Sequence, residues 1–279
     1  MDSSHNVNQA MARKFSLSPT RISTFLACPT KYFWTYLDSR GRYFIRSKSY
    51  FSFGTSLHTV LQRFHDSKDT GVESKEQAIA ALEESWIDAG YSSSQEMLEA
   101  LGDGKEVLEA YMDRVAVSGE VAKTLLIEKF LKFDLGDFIL QGKLDRLDEL
   151  EDGTLEVVDY KSGRSTVTPE DIQGDLAMSI YQYLTQKNYE DRPVRAKIIA
   201  LRSGDEAFYA MTEAEHVQLE ADVLQVGELI MSFTSRVTQE DASVDAPEYK
   251  LLCKSCDFLP LCQRHGLRVP PAEQPQSKV

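Results

Sequence analysis

Two carboxylates and a lysine lie close together at residues 141–163. Asp145 stands in the first of two apolar-rich runs, and Asp159 and Lys161 stand in the second, with one residue between them. Because side chains alternate faces along a strand, Asp159 and Lys161 would emerge on the same face. Carboxylates bind hard cations such as Mg²⁺, and a nearby lysine can position an attacking water or offset developing charge. The spacing fits a metal site, and it also fits a surface hairpin with an ordinary Asp–Lys pair.

A turn signal joins the two runs. The residues Glu151-Asp152-Gly153 contain Asp-Gly, which favours a tight β-hairpin. A hairpin would set the runs side by side, so that their carboxylates converge. Gly142 and Gly163 flank the stretch, and glycine in a strand indicates close backbone approach or a sharp exit. These glycines favour the metal site over the surface pair.

The four cysteines of the chain are Cys28, Cys253, Cys256 and Cys262. The last three form a C-x2-C-x5-C group, and Cys28 lies near the other end of the chain. Four thiolates can hold either a tetrahedral zinc ion or a [4Fe–4S] cluster. A zinc ribbon more often uses two C-x-x-C pairs and this chain has one, so the spacing favours the cluster. Either metal would tie the N-terminal helix to the C-terminal segment.

Composition and charge bound the class of protein. The chain has 279 residues, of which 42% are hydrophobic, enough for one large core. A net charge of −13 argues against a protein that coats nucleic acid, but it leaves a nuclease open, since metal ligands would supply part of the acidity. The chain shows no apolar signal core and no apolar run of membrane-spanning length, so we expect a cytoplasmic protein without disulfides or a membrane partner.

The order of apolar residues predicts an α/β protein. Residues 1–15 and 269–279 are predicted to be flexible, and Ser18 or Thr20 could cap the first helix. Residues 124–149 alternate as antiparallel strands do, and Glu128 on the first of them could face the metal site or the solvent. Further helices are predicted at 75–88, 95–118, 170–187 and 213–235, and further strands at 194–201 and 206–211.

Basic and aromatic side chains interleave at residues 40–53. Basic groups can contact phosphates and rings can stack on bases, whereas the alternative assigns the rings to the core and the charges to solvent. We expect most of the rings to be core residues and some of the arginines to contact DNA. The basic residues are Arg40, Arg42, Arg46 and Lys48, and the rings are Tyr43, Phe44, Tyr50, Phe51 and Phe53.

The order of these motifs resembles the RecB-like branch of the PD-(D/E)XK nucleases. The resemblance is carried by C-P, G-x3-H, G-K-L-D-R-L-D, D-Y-K-S-G, a later tyrosine and C-x2-C-x5-C. Within that branch the chain is most similar to members with an iron–sulfur belt, namely the AddB nuclease domain and the CRISPR-associated RecB-like exonucleases. The likeness runs from about Ser18 to His265, and we expect a single nuclease domain over residues 16–268.

The resemblance implies a restriction-endonuclease-like core, in which helices flank a central mixed sheet, and a [4Fe–4S] cluster that ties the two ends of the chain. It also implies cleavage of DNA phosphodiesters with Mg²⁺ or Mn²⁺. By likeness, His58, Asp145 and Asp159 are metal ligands, Asp145, Asp159, Lys161 and Tyr181 are catalytic residues, and Cys28, Cys253, Cys256 and Cys262 are cluster ligands.

One position departs from the family pattern. The family's Q-x3-Y helix motif places a glutamine four residues before Tyr181, where this chain has Ala177. Gln173, one helical turn earlier, would lie on roughly the same helix face and is the predicted substitute, with a role in DNA binding. The ligand set itself is complete, so the pattern predicts an active protein.

The sequence therefore predicts a metal-dependent DNA nuclease, an exonuclease on single strands or frayed ends, that works in end-processing, repair or recombination. The chain contains no Walker A motif, so a helicase partner would have to supply any motor. One alternative is a CRISPR spacer-acquisition nuclease that trims ends beside an integrase partner. Another is a DNA-binding adaptor of the same fold with weak catalysis, for which Ala177 is the only support.

Overall fold

The computed structural model describes residues 14–66, 71–118, 122–163, 166–239 and 248–268. The predicted tail at 269–279 and most of the N-terminus predicted as flexible at 1–15 lie outside these ranges. The end of that N-terminal segment belongs to the fold, since a strand begins at Phe15 and the Lys14 ammonium lies 2.7 Å from the Asp134 carboxylate. Strand pairing and this ion pair hold Lys14 and Phe15 in the fold.

A mixed sheet of six strands forms the centre of the described residues. In chain order the strands are β1 Phe15–Leu17, β2 Lys123–Asp134, β3 Phe138–Glu149, β4 Leu155–Lys161, β5 Val194–Ala200 and β6 Glu206–Tyr209. Across the sheet the order is β1, β3, β4, β5 and β6. Strand β2 lies outside this order and pairs with β3. The β1–β3 and β4–β5 pairs are parallel and the other pairs are antiparallel. The prediction of a mixed sheet is confirmed.

Helices cover both faces of the sheet. They are α1 Pro19–Ala27, α2 Pro29–Tyr32, α3 Ser49–His65, α4 Lys75–Ser85, α5 Ser94–Ser118, α6 Pro169–Gln173, α7 Leu176–Asn188, α8 Glu213–Gln239 and α9 Leu259–Arg264. A π-helical turn occupies Phe33–Leu37, and 3₁₀ turns occupy Ser39–Tyr43 and Leu251–Ser255. The Ser18 hydroxyl caps α1 by accepting a hydrogen bond from the Arg21 N–H.

Alternation along β4 divides the interior into two cores. Val157 packs with α7 residues such as Ile180 on one face of the sheet. Val158 and Tyr160 point the other way and pack with Leu57 of α3 in a second core, to which α4 and α5 also contribute. Because both faces are covered, every residue from Leu155 to Tyr160 is buried, including the charged Glu156 and Asp159.

The turn between β3 and β4 is the predicted hairpin. Gly153 adopts a φ of 86°, the left-handed conformation that favours glycine, and its N–H donates to the Leu150 carbonyl. The Asp152 carboxylate accepts the N–H of Thr154 at 2.9 Å and closes the turn. The Asp-Gly signal thus fixes which residues of the two strands face each other.

The helix predicted at 170–187 is two helices. The first, α6, ends at Gln173, and Gly174 caps it. The Asp175 carboxylate then starts α7 by accepting the N–H groups of Ala177 and Met178 at 2.8 and 3.2 Å. Glycine is typical of a helix end, and a capping acid is typical of a helix start. Gly174 followed directly by Asp175 therefore ends one helix and begins the next, and the chain turns between them.

Candidate active site

The predicted acids meet where β3 and β4 part. The two strands pair as far as Arg146 with Val158, and one residue further along each strand stand Asp145 and Asp159. Across the widening gap the Tyr160 N–H donates to the Asp145 Oδ2 at 3.0 Å. The end of the hairpin therefore holds both carboxylates at one opening in the sheet.

His58 reaches this opening from α3. Its Nε2 lies 3.0 Å from the Tyr160 carbonyl, and its Nδ1 lies 3.4 Å from the Asp145 Oδ2. Since a carbonyl only accepts hydrogen bonds, Nε2 carries the hydrogen, and in the neutral ring Nδ1 turns a lone pair toward carboxylates. Metal-binding histidines are commonly held in this way, with the second nitrogen donating to a backbone carbonyl.

The charge state of His58 reflects these neighbours. Burial lowers the pKa of His58, but the carboxylates of Asp145, Asp159 and Glu128 outweigh burial, so the pKa is raised. Three carboxylates around one imidazole form a site that could bind a cation.

Glu128 of β2 lies beside His58 and Asp145. Of the two predicted orientations, its side chain therefore faces the candidate site and not the solvent. The flanking pairs, Ile127 with Arg146 and Lys129 with Leu144, place Glu128 opposite Asp145. Its Oε1 lies 3.9 Å from the His58 Nδ1. Its φ of 50° is left-handed, an uncommon conformation for a non-glycine residue that is found at functional sites.

Three donor atoms, one each from His58, Glu128 and Asp145, lie within 4.8 Å of one another. Two carboxylates and an imidazole are ligands that Mg²⁺ or Mn²⁺ accepts, so the residues present fit a divalent ion. Asp159, predicted as a ligand, lies beside this group without belonging to it. Burial, and then the nearby Asp145 carboxylate, raise the pKa of Asp159, as happens when two acids share one site.

Lys161 faces the same opening. Its Nζ lies 2.9 Å from the Asp159 Oδ2 and 3.4 Å from the Asp175 Oδ2. Burial lowers the pKa of Lys161, but the two carboxylates outweigh burial and raise it, so the ammonium stays charged. Sequence reasoning missed Asp175, whose only sequence signal is that of a helix cap.

A second lysine, Lys143, forms a close ion pair with the Glu128 carboxylate. Sequence reasoning missed it too, although it stands in the G-K-L-D string. Its alternation with Asp145 along β3 places it on the face of the site.

Tyr181 of α7 also borders the site. A Cβ on Gly142 would lie 2.7 Å from its ring, so glycine at 142 is what lets the ring approach the sheet. Burial raises the pKa of Tyr181, and Asp159 and Asp145 add to the effect. The phenol therefore stays protonated and can donate a hydrogen bond into the site. By contrast, a Cβ on Gly163 would meet nothing within 4 Å, so Gly163 allows no such approach.

Gln173 does not take the place that Ala177 leaves. Its Nε2 donates to the Tyr209 hydroxyl at 2.9 Å and to the Glu215 carboxylate at 3.0 Å. The prediction that it shares a helix face with Ala177 is wrong, because α6 ends at Gln173 and α7 begins three residues later.

The basic segment is only partly free to contact a ligand. Arg40 forms an ion pair with Asp38 at 2.5 Å, Lys48 forms one with Asp257 at 2.7 Å, and Arg42 donates to the Tyr43 hydroxyl. Arg46 is exposed.

The expectation that most rings of this segment are core residues is wrong. Tyr43, Tyr50 and Phe51 are 74%, 63% and 64% exposed, and only Phe53 is buried. In helical geometry Phe53 turns toward the α5 side of α3, whereas Tyr50 and Phe51 turn away from the core.

The four cysteines line one small pocket between α2 and the C-terminal segment. Cys28 and Cys253 each accept a backbone N–H, from Lys31 and Lys250, at 3.4 Å. Burial raises the pKa of Cys256, and it raises the pKa of Cys262 to about 11. The structure thus joins the two ends of the chain at these thiols.

No helix among the described residues has the length and apolar character that crossing a membrane requires.

Comparisons with known proteins agree with this geometry. The family model of the PD-(D/E)XK nuclease superfamily matches residues 16–263. Among solved structures, the fold is similar to that of a "Putative exonuclease" from Eubacterium rectale, with a TM-score of 0.52, 15% identity, and coverage of 99% of this chain and 96% of that one. Another structure, SSO0001, shows 15% identity over 81% of this chain and 97% of its own, at a TM-score of 0.26 that carries no argument. No curated protein matches the chain by sequence.

Proposed function

Because the chain belongs to the PD-(D/E)XK nuclease superfamily, we propose that it is a divalent-metal-dependent DNA nuclease acting on single strands or frayed ends. The observation that carries the proposal is the group of donor atoms from His58, Glu128 and Asp145 within 4.8 Å, with Lys161 and Asp159 beside it.

Each side chain has a role in this proposal. His58, Glu128 and Asp145 would hold Mg²⁺ or Mn²⁺, and Asp159 would lie beside the ion as a further acidic group. The bound ion would supply Lewis-acid chemistry for phosphodiester hydrolysis. Lys161, kept charged by Asp159 and Asp175, would position the attacking water and stabilise the charge that develops on the phosphate.

Tyr181 would add a neutral donor. Its phenol borders Asp145 and Asp159 and could donate a hydrogen bond to a non-bridging phosphate oxygen. The raised pKa of this phenol keeps the proton available across the working pH range.

The second part of the proposal is a structural [4Fe–4S] cluster held by Cys28, Cys253, Cys256 and Cys262. The pocket that all four cysteines line supports it. The two N–H···S hydrogen bonds would stabilise the charged cluster.

Cleavage of labelled single-stranded DNA tests the function. The protein with Mn²⁺ should shorten the strand, and a chelator should stop the reaction. Lys161→Ala should lower the rate by about a hundredfold or more, because a charge-stabilising donor is typically worth that much, and should melt near the parent. Lys132→Ala is the matched control, since Lys132 is an exposed lysine outside the site. Tight DNA binding with no cleavage under Mg²⁺ or Mn²⁺ would contradict the nuclease and favour the adaptor.

A further inference from the structure

Two neighbouring rings lie exposed at the first turn of α3. Tyr50 and Phe51 are 63% and 64% exposed, and their ring centroids are 4.4 Å apart. Single exposed rings are ordinary on protein surfaces. A pair of adjacent exposed rings beside a candidate active site is a candidate ligand-binding surface.

The helix places Phe51 on the side of the metal ligands. At 3.6 residues per turn, Phe51, Thr55 and His58 follow one face of α3. The seven helical steps from Phe51 to His58 rise about 10 Å. A Cβ on Gly54 would come 3.0 Å from the Ser162 hydroxyl. This turn of α3 therefore abuts the end of β4, one residue past Lys161.

The segment that leads into the rings is basic, although the chain as a whole carries a net charge of −13. Residues 39–53 contain four basic residues and no acid. Asp38 and Asp257 form ion pairs with Arg40 and Lys48, and Arg46 is exposed. A polyanion that reaches the site past the start of α3 would meet the basic side chains of this segment.

We propose that Phe51, with Tyr50 beside it, is a stacking platform for an unpaired base of the DNA strand whose phosphate lies at the metal site. This inference rests on the proposed function and adds a subsite to it. Stacking needs only the π-face that every base has, so the platform would hold single strands without sequence preference. A duplex keeps its bases stacked on one another, so the platform would favour frayed or single-stranded ends.

The distance limits which base is held. Successive phosphates of a duplex strand rise about 3.4 Å, and an unpaired strand can extend further. The 10 Å span therefore corresponds to no more than about three nucleotides. The stacked base should belong to one of the three nucleotides next to the scissile phosphate.

The test is a double-mutant cycle between the protein side chain and the base. Binding of a labelled oligonucleotide would be measured with Ca²⁺ in the Lys161→Ala background, for Phe51 and for Phe51→Ala. The oligonucleotides carry either all bases or one abasic nucleotide at each of the three positions. With all bases present, Phe51→Ala should bind about fivefold to a hundredfold more weakly, the range of one base–aromatic stack. At one abasic position the two proteins should bind equally, which identifies the stacked nucleotide.

Two further variants keep the result specific to stacking. Phe51→Trp should retain the affinity of the parent, because it keeps an aromatic face. Leu98→Ala, a change at an equally exposed apolar residue of α5, should leave binding unchanged. The melting temperature of Phe51→Ala should match the parent, since the ring is exposed.

The outcomes separate this inference from the function beneath it. If the parent cleaves single strands and Phe51→Ala binds them as tightly, the platform is refuted, the nuclease stands, and the rings serve a protein contact. If Phe51→Ala weakens oligonucleotide binding equally whichever base is removed, the side chain affects binding by a mechanism other than stacking, and stacking is refuted. If the parent neither binds nor cleaves DNA, both proposals fail.

Discussion

At the scale of residues, Tyr160 links the candidate site to the second core. Its backbone N–H holds Asp145 and its carbonyl holds the His58 ring. Its phenol points into the second core, where it accepts a hydrogen bond from the buried Arg146 at 2.5 Å and lies 3.2 Å from the Tyr111 hydroxyl. A side chain anchored in the second core thus fixes the backbone groups that orient Asp145 and His58, which is the kind of support a precise site needs.

Gly142→Ala should damage both packing and catalysis. A Cβ at this position would come 2.7 Å from the Tyr181 ring and 3.1 Å from Leu184, so the ring must move off the site. We expect a loss of roughly 1–3 kcal/mol in the free energy of unfolding, the usual cost of overpacking, and slower cleavage. Denaturant titration and the single-strand assay measure the two effects.

Gly102→Ala is the matched control for that prediction. Gly102 lies within α5, and a Cβ there would meet nothing within 4 Å. The exchange should stabilise the protein by about 0.5–1 kcal/mol through helix propensity and leave cleavage unchanged. Equal stability of the two alanine variants would refute the argument from close approach.

At the scale of elements, the site depends on where α7 begins. Asp175 follows the break after α6 and caps α7 with its Oδ1. Its Oδ2 lies 3.4 Å from the Lys161 Nζ. One carboxylate thus sets the start of a helix and the charge environment of the candidate catalytic lysine. The absent motif glutamine at 177 and this acid lie within the same helical turn.

Two variants of Asp175 should separate its functions. Asp175→Asn keeps a capping side chain, so stability should stay near that of the parent, while the ion pair with Lys161 is lost and cleavage slows. Asp175→Ala should lose about 1 kcal/mol in addition, the typical value of an N-cap. Melting curves and single-turnover rates would show this pattern. If Asp175→Asn cleaves at the parental rate, the carboxylate serves the helix alone.

At the scale of the whole molecule, the cysteine pocket joins segments that are 225 positions apart in sequence, from Cys28 to Cys253. Near it, Trp34, Phe258 and Leu261 form a small separate core. This core has few buried residues of its own, so a metal centre would contribute much of the stability of the junction.

Cys28→Ala should destabilise as much as Cys256→Ala. Closing so long a loop is worth on the order of 5 kcal/mol in the chain-entropy model, by analogy with a disulfide, and loss of either ligand opens it. Anaerobically purified parent should be brown and contain iron. Melting temperatures and metal analysis test this, with the exposed Ser255→Ala as control. One zinc per chain, together with a Cys28→Ala variant as stable as the parent, would refute the cluster.

Local sequence was sufficient to predict the hairpin and its acids. The Asp-Gly turn sets the register, and a period of two then places Asp145 and Asp159 together, so both features follow from neighbours along the chain. Most helices and strands were predictable for the same reason, since each run carries its own periodicity, whereas the mixed sheet flanked by helices was expected from the family resemblance. The four cysteines could be grouped because no other cysteines compete as ligands.

Tertiary structure alone decided the rest of the site. Glu128 joins it through the register of β2 against β3, and His58 joins it through the packing of α3 on the sheet. Asp175 joins it because the chain breaks between two helices that read as one. Each of these contacts connects residues far apart in sequence, and a local pattern cannot specify the distance between elements that only the packed core sets. The exposure of Phe51 was decided in the same way, by the side of α3 that the core left uncovered.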